Sequence, residues 1–463
     1  MVRTSFIIGL LLGVTICKVP LYFTLGLSEV SDGKLVDEGR LKYQLSEAKN
    51  LGSRGVIVDL WWGEAEPQPQ QYRFEPYVKI AELCAEYQLE LQFTLSFHGC
   101  HDNDYGCTIR LPDWVRKVPD IWYKGPNGYE SREYISLFAD DAKVLDGRTP
   151  MQAYKDFAQN FASKLWVYLG NTVKQVQVGL GPSGQLRYPS YDYTNFCGVG
   201  RFVLDDVYAK QSLEREVRLA KLNNPLSSLS FSSTSNAENS GFFSEAQRNQ
   251  NGFRSRFGKH VAVWYSLRLL NHGARILRIF REALPMLSIG AKLSAVHWTA
   301  GSNLRAPEVT AGYAITKKFN FYDRFAKICK ANKVVAVISG VEMVDNFDIN
   351  HCFSRGGALF NEVKSIARKR GVEVMGETAW QRNDQHALDV IALQAYELKS
   401  LNFLRVTEYT NQQEEVKDRF KNLVQKLDQL IGSQNNNNAE KQIEAPQWCE
   451  TCSKTAEKKL MRA

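Results

Sequence analysis

The chain has 463 residues, 44% hydrophobic and 23% charged, enough apolar material to bury a large core without disulfide or metal staples. Its formal net charge is +8, but Lys and Arg are spread along the chain and interleaved with Asp and Glu, the pattern of a solvated surface rather than a nucleic-acid face. The nine Cys stand at irregular, mostly long spacings that form no disulfide framework, and the lone Cys449-Glu450-Thr451-Cys452 pair, with no His cluster or second pair beside it, argues against a zinc or redox role.

In chain order, the first feature is an apolar run over 6–17, after Arg3 and too short to span a bilayer, with small residues at Thr15 and Cys17 before Lys18. It reads as a secretory signal peptide over 1–17, which would deliver the mature chain to the secretory lumen or outside the cell, with no membrane segment left. The competing reading is an apolar lead-in to a strand that starts at Val19. No Asn-x-Ser/Thr sequon supports secretion independently.

From there one rhythm recurs, a short β-rich apolar run followed by a helical pattern. The runs cover 19–25, 56–62, 89–98, 173–181, 291–298, 334–343, 372–379 and 402–409. Between them apolar residues recur at three and four spacing, as in Tyr77, Ile80, Ala81, Cys84 and Ala85, or Phe420, Leu423, Val424 and Leu427. Eight β/α units predict a closed parallel (β/α)8 TIM barrel in a single domain over 18–432. Two insertions interrupt it, one after the third run reaching about Thr149 and a longer one after the fourth reaching about Gly258, so both would sit on the C-terminal face. The second contains the Ser-rich stretch 226–235. Residues 433–463, with an Asn tract, read as a polar disordered tail.

In such a barrel the ends of the runs carry the chemistry, and they hold Asp59, Trp61, Trp62, His98, Gln185, His297, Trp298, Ser339, Glu342, Glu377 and Arg405. Each also has a plain structural reading: Asp59 as a loop cap, His98 as a hydrogen-bonded core residue, the Trp pair as packing, Arg405 as partner of Glu377 or Asp59. Their convergence on one rim favours a site. Carboxylates mixed with Trp, Tyr and His suit a sugar, because indole faces cover pyranose C–H faces while Asp, Arg and His bind hydroxyls. No Gly-rich phosphate loop, HExxH motif or nucleophile elbow is present, against nucleotide, metalloprotease and esterase chemistry, and nothing indicates a metal or organic cofactor.

Six ordered motifs sharpen this reading. They are Val58-Asp59-Leu60-Trp61-Trp62-Gly63; Ser96-Phe97-His98; Gly147-Arg148-Thr149; Gly179-Leu180-Gly181-Pro182 with Leu186-Arg187-Tyr188-Pro189-Ser190-Tyr191; Trp264-Tyr265-Ser266 with Leu270-Asn271-His272-Gly273; and Thr310-Ala311-Gly312-Tyr313. Together they resemble the β-amylases, inverting exo-acting glycoside hydrolases that release maltose from the non-reducing ends of α-1,4-glucans. The resemblance spans about 18–432.

The resemblance implies a general base at Glu377, preceded by Gly376, and an inner-loop hydroxyl at Ser339, where the family has Thr. It implies substrate contacts at Asp59, His98, Lys292, His297 and Arg405, and at Thr378 and Ala379, where the family's Asn-Ala-Leu becomes Thr378-Ala379-Trp380. The family's general acid is a Glu before the Leu-Arg-Tyr-Pro-Ser run; here that position is Gln185. The family's Gly-rich lid carries an Asp after a Gly, and aligning on Gly106 puts Cys107 there, with Asp102 and Asp104 a short register shift away.

Inverting hydrolysis needs one carboxylic acid for the departing oxygen and one carboxylate to activate water. Gln185 keeps the shape of Glu but has no proton to transfer, and loss of a general acid costs on the order of 10²- to 10⁴-fold, roughly 3 to 5 kcal/mol of barrier. Two expectations follow. The chain is a β-amylase-like protein that binds α-1,4-glucan or malto-oligosaccharides and is silent or strongly impaired in catalysis, or it is an active β-amylase in which Glu342 or a lid Asp replaces the missing acid. No nucleic-acid partner is expected.

Overall fold

Eight strands pair in parallel in strict chain order and close on themselves: β1 (Leu21–Thr24), β2 (Gly55–Trp61), β3 (Glu90–Ser96), β4 (Val173–Val178), β5 (Ser288–Leu293), β6 (Val335–Ser339), β7 (Val374–Glu377) and β8 (Ser400–Phe403). The seam is β1 on β8, with Leu21 opposite Leu401. This is the (β/α)8 barrel that the eight runs predict, and every run overlaps a strand. β5 and β8 begin earlier than the apolar runs because Ser288, Gly290 and Ser400, on alternate residues, break the apolar pattern without breaking the strand. The computed structural model describes residues 19–99, 109–191, 197–221, 242–243, 252–299, 304–346, 352–379, 383–404 and 414–432. The segment 1–17, Asp102, Asp104, Cys107, the stretch 226–235, Trp380, Arg405 and the tail 433–463 with its Cys pair lie outside the described residues.

The helices are α1 (Glu38–Asn50), α2 (Glu75–Glu86), α3 (Pro150–Leu165), α4 (Val207–Leu219), α5 (Arg256–Ala283), α6 (Phe321–Asn332), α7 (Gly356–Lys369), α8 (Gln385–Gln394) and α9 (Glu414–Gly432). Side-chain caps fix several starts: Asp37 accepts from Arg40 N, Ser255 from Gly258 N, Asn320 from Asp323 N and Asp384 from Ala387 N. Thr149 and Gln152 form a reciprocal capping box at the head of α3, so Thr149 of the Gly-Arg-Thr motif is architectural. Its neighbour Arg148 pairs with fully buried Glu66 at 3.0 Å and with Asp156 at 3.1 Å. No described helix is long and apolar enough to cross a membrane.

The two faces of the ring differ in chemistry. Outward residues such as Phe23, Val56, Val58, Phe93, Val176, Ile289 and Ile338 pack with the helices in one large cluster. The lumen holds a separate small cluster, Val335, Val337 and Met375, beside buried Gln92, Gln175 and Gln177. Gln175 Nε2 donates to Gln92 Oε1 at 3.4 Å and lies 2.9 Å from Met375 Sδ. The strands are buried on both faces, as parallel strands require, but only the outer face is continuously apolar.

The first insertion, between β3 and α3, carries a short helix (Asp113–Arg116) and a hairpin of Trp122–Lys124 with Glu130–Ile135. The second, between β4 and α5, carries α4. A disulfide that no spacing in the sequence marks, Cys197–Cys352, joins the second insertion to the loop after β6 across 155 residues, with Cα atoms 5.7 Å apart. Cys84 and Cys329 are buried free thiols, and burial pushes both well above the ordinary thiol range.

Candidate active site

Three adjacent strands bring together the first cluster. Parallel register sets Ser339 opposite Glu377, and Val337 opposite Lys292, so the carboxylate of Glu377 meets side chains from β5 and β6 at the C-terminal rim. Lys292 Nζ lies 2.6 Å from Glu377 Oε1, and Ser339 Oγ donates to the same oxygen at 3.3 Å. Glu377 is 5% exposed. A carboxylate this buried persists as a charge only with a cation and a donor beside it, and both are present. Lys292, expected to touch substrate, here holds Glu377 through its ammonium group.

Gln185 sits on the loop after β4. The backbone reverses over Pro182–Gly184, with Ser183 and Gly184 at positive φ, 53° and 72°. Gly184 takes its positive φ without strain, and the turn packs beside His98, whose Cε1 would lie in ordinary contact, 3.5 Å, from a Cβ there. Gln185 is half-buried, and its Oε1 accepts from Arg187 Nε at 3.1 Å. A guanidinium only donates, so the amide oxygen must face Arg187 and the NH₂ group turns the other way. Arg187, 6% exposed, also donates to Tyr188 O and Ser183 Oγ, both at 3.2 Å, and lies over the Tyr191 ring at 4.7 Å. Ser183 in turn donates through N and Oγ to Glu133 Oε1.

The remaining motifs converge on this loop. Leu186 N donates to Lys292 O at 2.9 Å, and Tyr313 OH to Leu186 O at 2.8 Å. Tyr188 N donates to Ala311 O, and Tyr188 OH to Tyr265 O, while the two tyrosine rings stack at 3.7 Å. A Cβ on Gly273 would lie 2.8 Å from Leu186 Cδ1. Tyr265, Tyr313, Glu133 and Gly273 are thus positioning residues that sequence reasoning did not assign. The recurrence of Tyr and Gly in the motifs was the available signal.

Of the other expected residues, Asp59 is half-buried on β2, opposite Thr94. His98, half-buried, packs edge-on against Trp61 at 5.1 Å, and its Nδ1 meets no hydrogen-bond partner among the described residues. Burial first, then the Lys292 and Arg187 cations, hold its imidazolium down to about 3, so it is neutral at working pH. His297 Nδ1 lies 2.8 Å from Ser354 Oγ, and burial holds it down to about 4. Thr378 is fully buried with its hydroxyl accepting from Leu404 N at 3.1 Å, which turns it to the β8 backbone rather than the rim. Ala379 N donates to both oxygens of buried Glu342, at 2.9 and 3.2 Å, so Glu342 braces the segment after β7. Arg405 is outside the described residues. No group of three or more His, Cys, Asp or Glu among the described residues is placed to hold a metal ion.

The arrangement provides a fixed carboxylate, a neutral imidazole, an amide donor and a rim of Trp and Tyr. A sequence model of glycosyl hydrolase family 14 matches residues 24–432. The chain is 34% identical over 397 residues to a protein of Oryza sativa subsp. japonica named β-amylase 2, chloroplastic, covering 82% of this chain and 71% of the relative. It is 29% identical over 376 residues to an Arabidopsis thaliana protein named inactive β-amylase 9, covering 78% and 68%. Among solved structures, the catalytic domain of a β-amylase from Paenibacillus polymyxa matches with a TM-score of 0.73 at 24% identity, over 87% of this chain and 97% of that one, a likeness of fold.

Proposed function

The chain belongs to glycosyl hydrolase family 14, the β-amylase family, and from that premise we propose that it binds the non-reducing ends of α-1,4-glucans or malto-oligosaccharides while hydrolysing them weakly or not at all. In this reading Glu377 is the base that polarises water, Ser339 supports it, and Asp59, His98, Lys292, His297, Thr378, Ala379 and Arg405 line or brace the sugar site. Gln185 takes the acid's place.

The observation that carries the reading is the Arg187 to Gln185 hydrogen bond. It fixes the amide with its NH₂ group available to an acceptor, so the side chain can hold a glycosidic or hydroxyl oxygen but cannot protonate it. Of the described carboxylates, Glu342 is held by Ala379 N on both oxygens and Glu133 by Ser183 N and Oγ, so both serve as braces of the backbone.

The test is maltose release from maltopentaose between pH 4.5 and 7 by the wild type and by Gln185→Glu. The variant should be faster by at least about 100-fold. A wild type within about tenfold of it overturns the proposal in favour of an active enzyme with another acid. Calorimetric titration with maltotetraose should give similar affinities for the two proteins. The reading of 1–17 as a cleaved leader to a secretory lumen belongs to the same proposal, and N-terminal sequencing of the mature protein checks it.

A further inference from the structure

The two halves of the site are unequal. On one side the Glu377–Lys292–Ser339 cluster is complete, and a buried ion pair is costly to keep where nothing uses it. On the other side the side chain beside the departing group is a neutral amide. Behind that amide stands a guanidinium whose direct partners, Gln185 Oε1, Tyr188 O and Ser183 Oγ, are all uncharged, with the carboxylate of Glu133 one residue further away through Ser183. Among the described residues the acid's position holds an amide donor backed by a cation, tied to the base cluster through Leu186 N on Lys292 O, and this suits displacement at an anomeric carbon whose leaving group departs as a stable anion.

Resting on the reading above, we propose that the site hydrolyses α-malto-oligosyl phosphates with inversion. Glu377 takes a proton from water as the water oxygen bonds to C1 from the face opposite the phosphate. The C1–O bond breaks with both electrons passing to the phosphate oxygen. The monoanionic ester leaves as hydrogen phosphate dianion, the sugar is released as the β-anomer, and the proton on Glu377 returns to solvent. No proton donor is required, because hydrogen phosphate is far less basic than a sugar alkoxide. Gln185 NH₂ donates to the departing oxygen, and the Arg187 charge favours the anion forming in front of it. The ester's second ionisation, near pH 6, removes the reactive monoanion, so the rate should fall above that pH.

Wild type, Gln185→Glu and Glu377→Gln are each incubated at pH 6 with α-maltose 1-phosphate and, separately, maltopentaose. Phosphate release is followed together with the anomeric proton signals. The wild type should release phosphate and β-maltose, Glu377→Gln should be at least about 100-fold slower, and Gln185→Glu should be no faster than the wild type. Phosphate release by the wild type no faster than by Glu377→Gln, or α-maltose as the first product, overturns the inference. If Gln185→Glu gains activity on maltopentaose while the wild type leaves the phosphate ester intact, this inference fails and the silent-hydrolase reading stands. If the wild type already cleaves maltopentaose within about tenfold of the variant, both fail.

Discussion

Replacing Lys292 by Met keeps much of the side-chain volume and removes the ammonium 2.6 Å from Glu377 Oε1. The two side chains are 15% and 6% exposed. At an effective dielectric of about 20 their attraction is roughly 6 kcal/mol, from which the desolvation of both ions must be subtracted. Breaking such a pair from one side costs about 3 to 5 kcal/mol, because it strands a buried carboxylate. Among the described residues the other donor to the same oxygen, Ser339 Oγ at 3.3 Å, is neutral. Adding Glu377→Gln removes the stranded charge, so the double variant should be more stable than Lys292→Met alone by at least about 2 kcal/mol. Equilibrium urea unfolding of the four proteins at pH 7, read by tryptophan fluorescence, closes the cycle. A Lys292→Met variant within about 1 kcal/mol of the wild type, or single effects that add within about 0.5 kcal/mol, would refute the claim that the two side chains form one buried unit.

Other outcomes follow from the same site. His98 and His297, held down to about 3 and 4, stay neutral in the folded protein where the unfolded chain takes up protons. Their stabilisation is therefore complete above about pH 6.5 and is lost as pH falls towards 4. His98→Asn should flatten the dependence of unfolding free energy on pH by up to about 1.4 kcal/mol per pH unit between pH 6 and 4, and parallel curves for variant and wild type would count against this. Opening the Cys197–Cys352 link by paired Ser substitutions should lower stability by up to about 5 kcal/mol, the loop-closure value for its 155-residue separation. Dithiothreitol should shift the urea midpoint of the wild type and leave the double Ser variant unmoved, whereas equal shifts would place the effect elsewhere.

The barrel was legible because each strand turns one face to the helices, and that face must be apolar: Phe23, Val56, Val58 and Ile338 mark it in sequence as plainly as in space. Strand starts were less so, since Ser288 and Gly290 interrupt the apolar pattern. The rim residues could be named from the ends of the runs, but not what they bind to. The pairing of Lys292 with Glu377 comes from β5 and β7 flanking β6, and the turning of Thr378 to the β8 backbone depends on local geometry; neither leaves a mark in the chain. The disulfide was hidden for the same reason, because proximity across 155 residues is a property of the fold. The motif tyrosines Tyr188 and Tyr313 work on the loop of Gln185 through backbone carbonyls, which sequence does not display.

The barrel is glued from outside. Its one extensive oily seam lies between strands and helices, while the inner wall carries a smaller patch, Val335, Val337 and Met375, among amides, hydroxyls and charged groups. Outside the Lys292–Glu377 unit, the polar residues of that wall bury little apolar surface, so their exchange costs the scaffold less than a change in the outer seam. A reaction can in this way be edited out of the vessel, or another written into it, long before the vessel itself gives way.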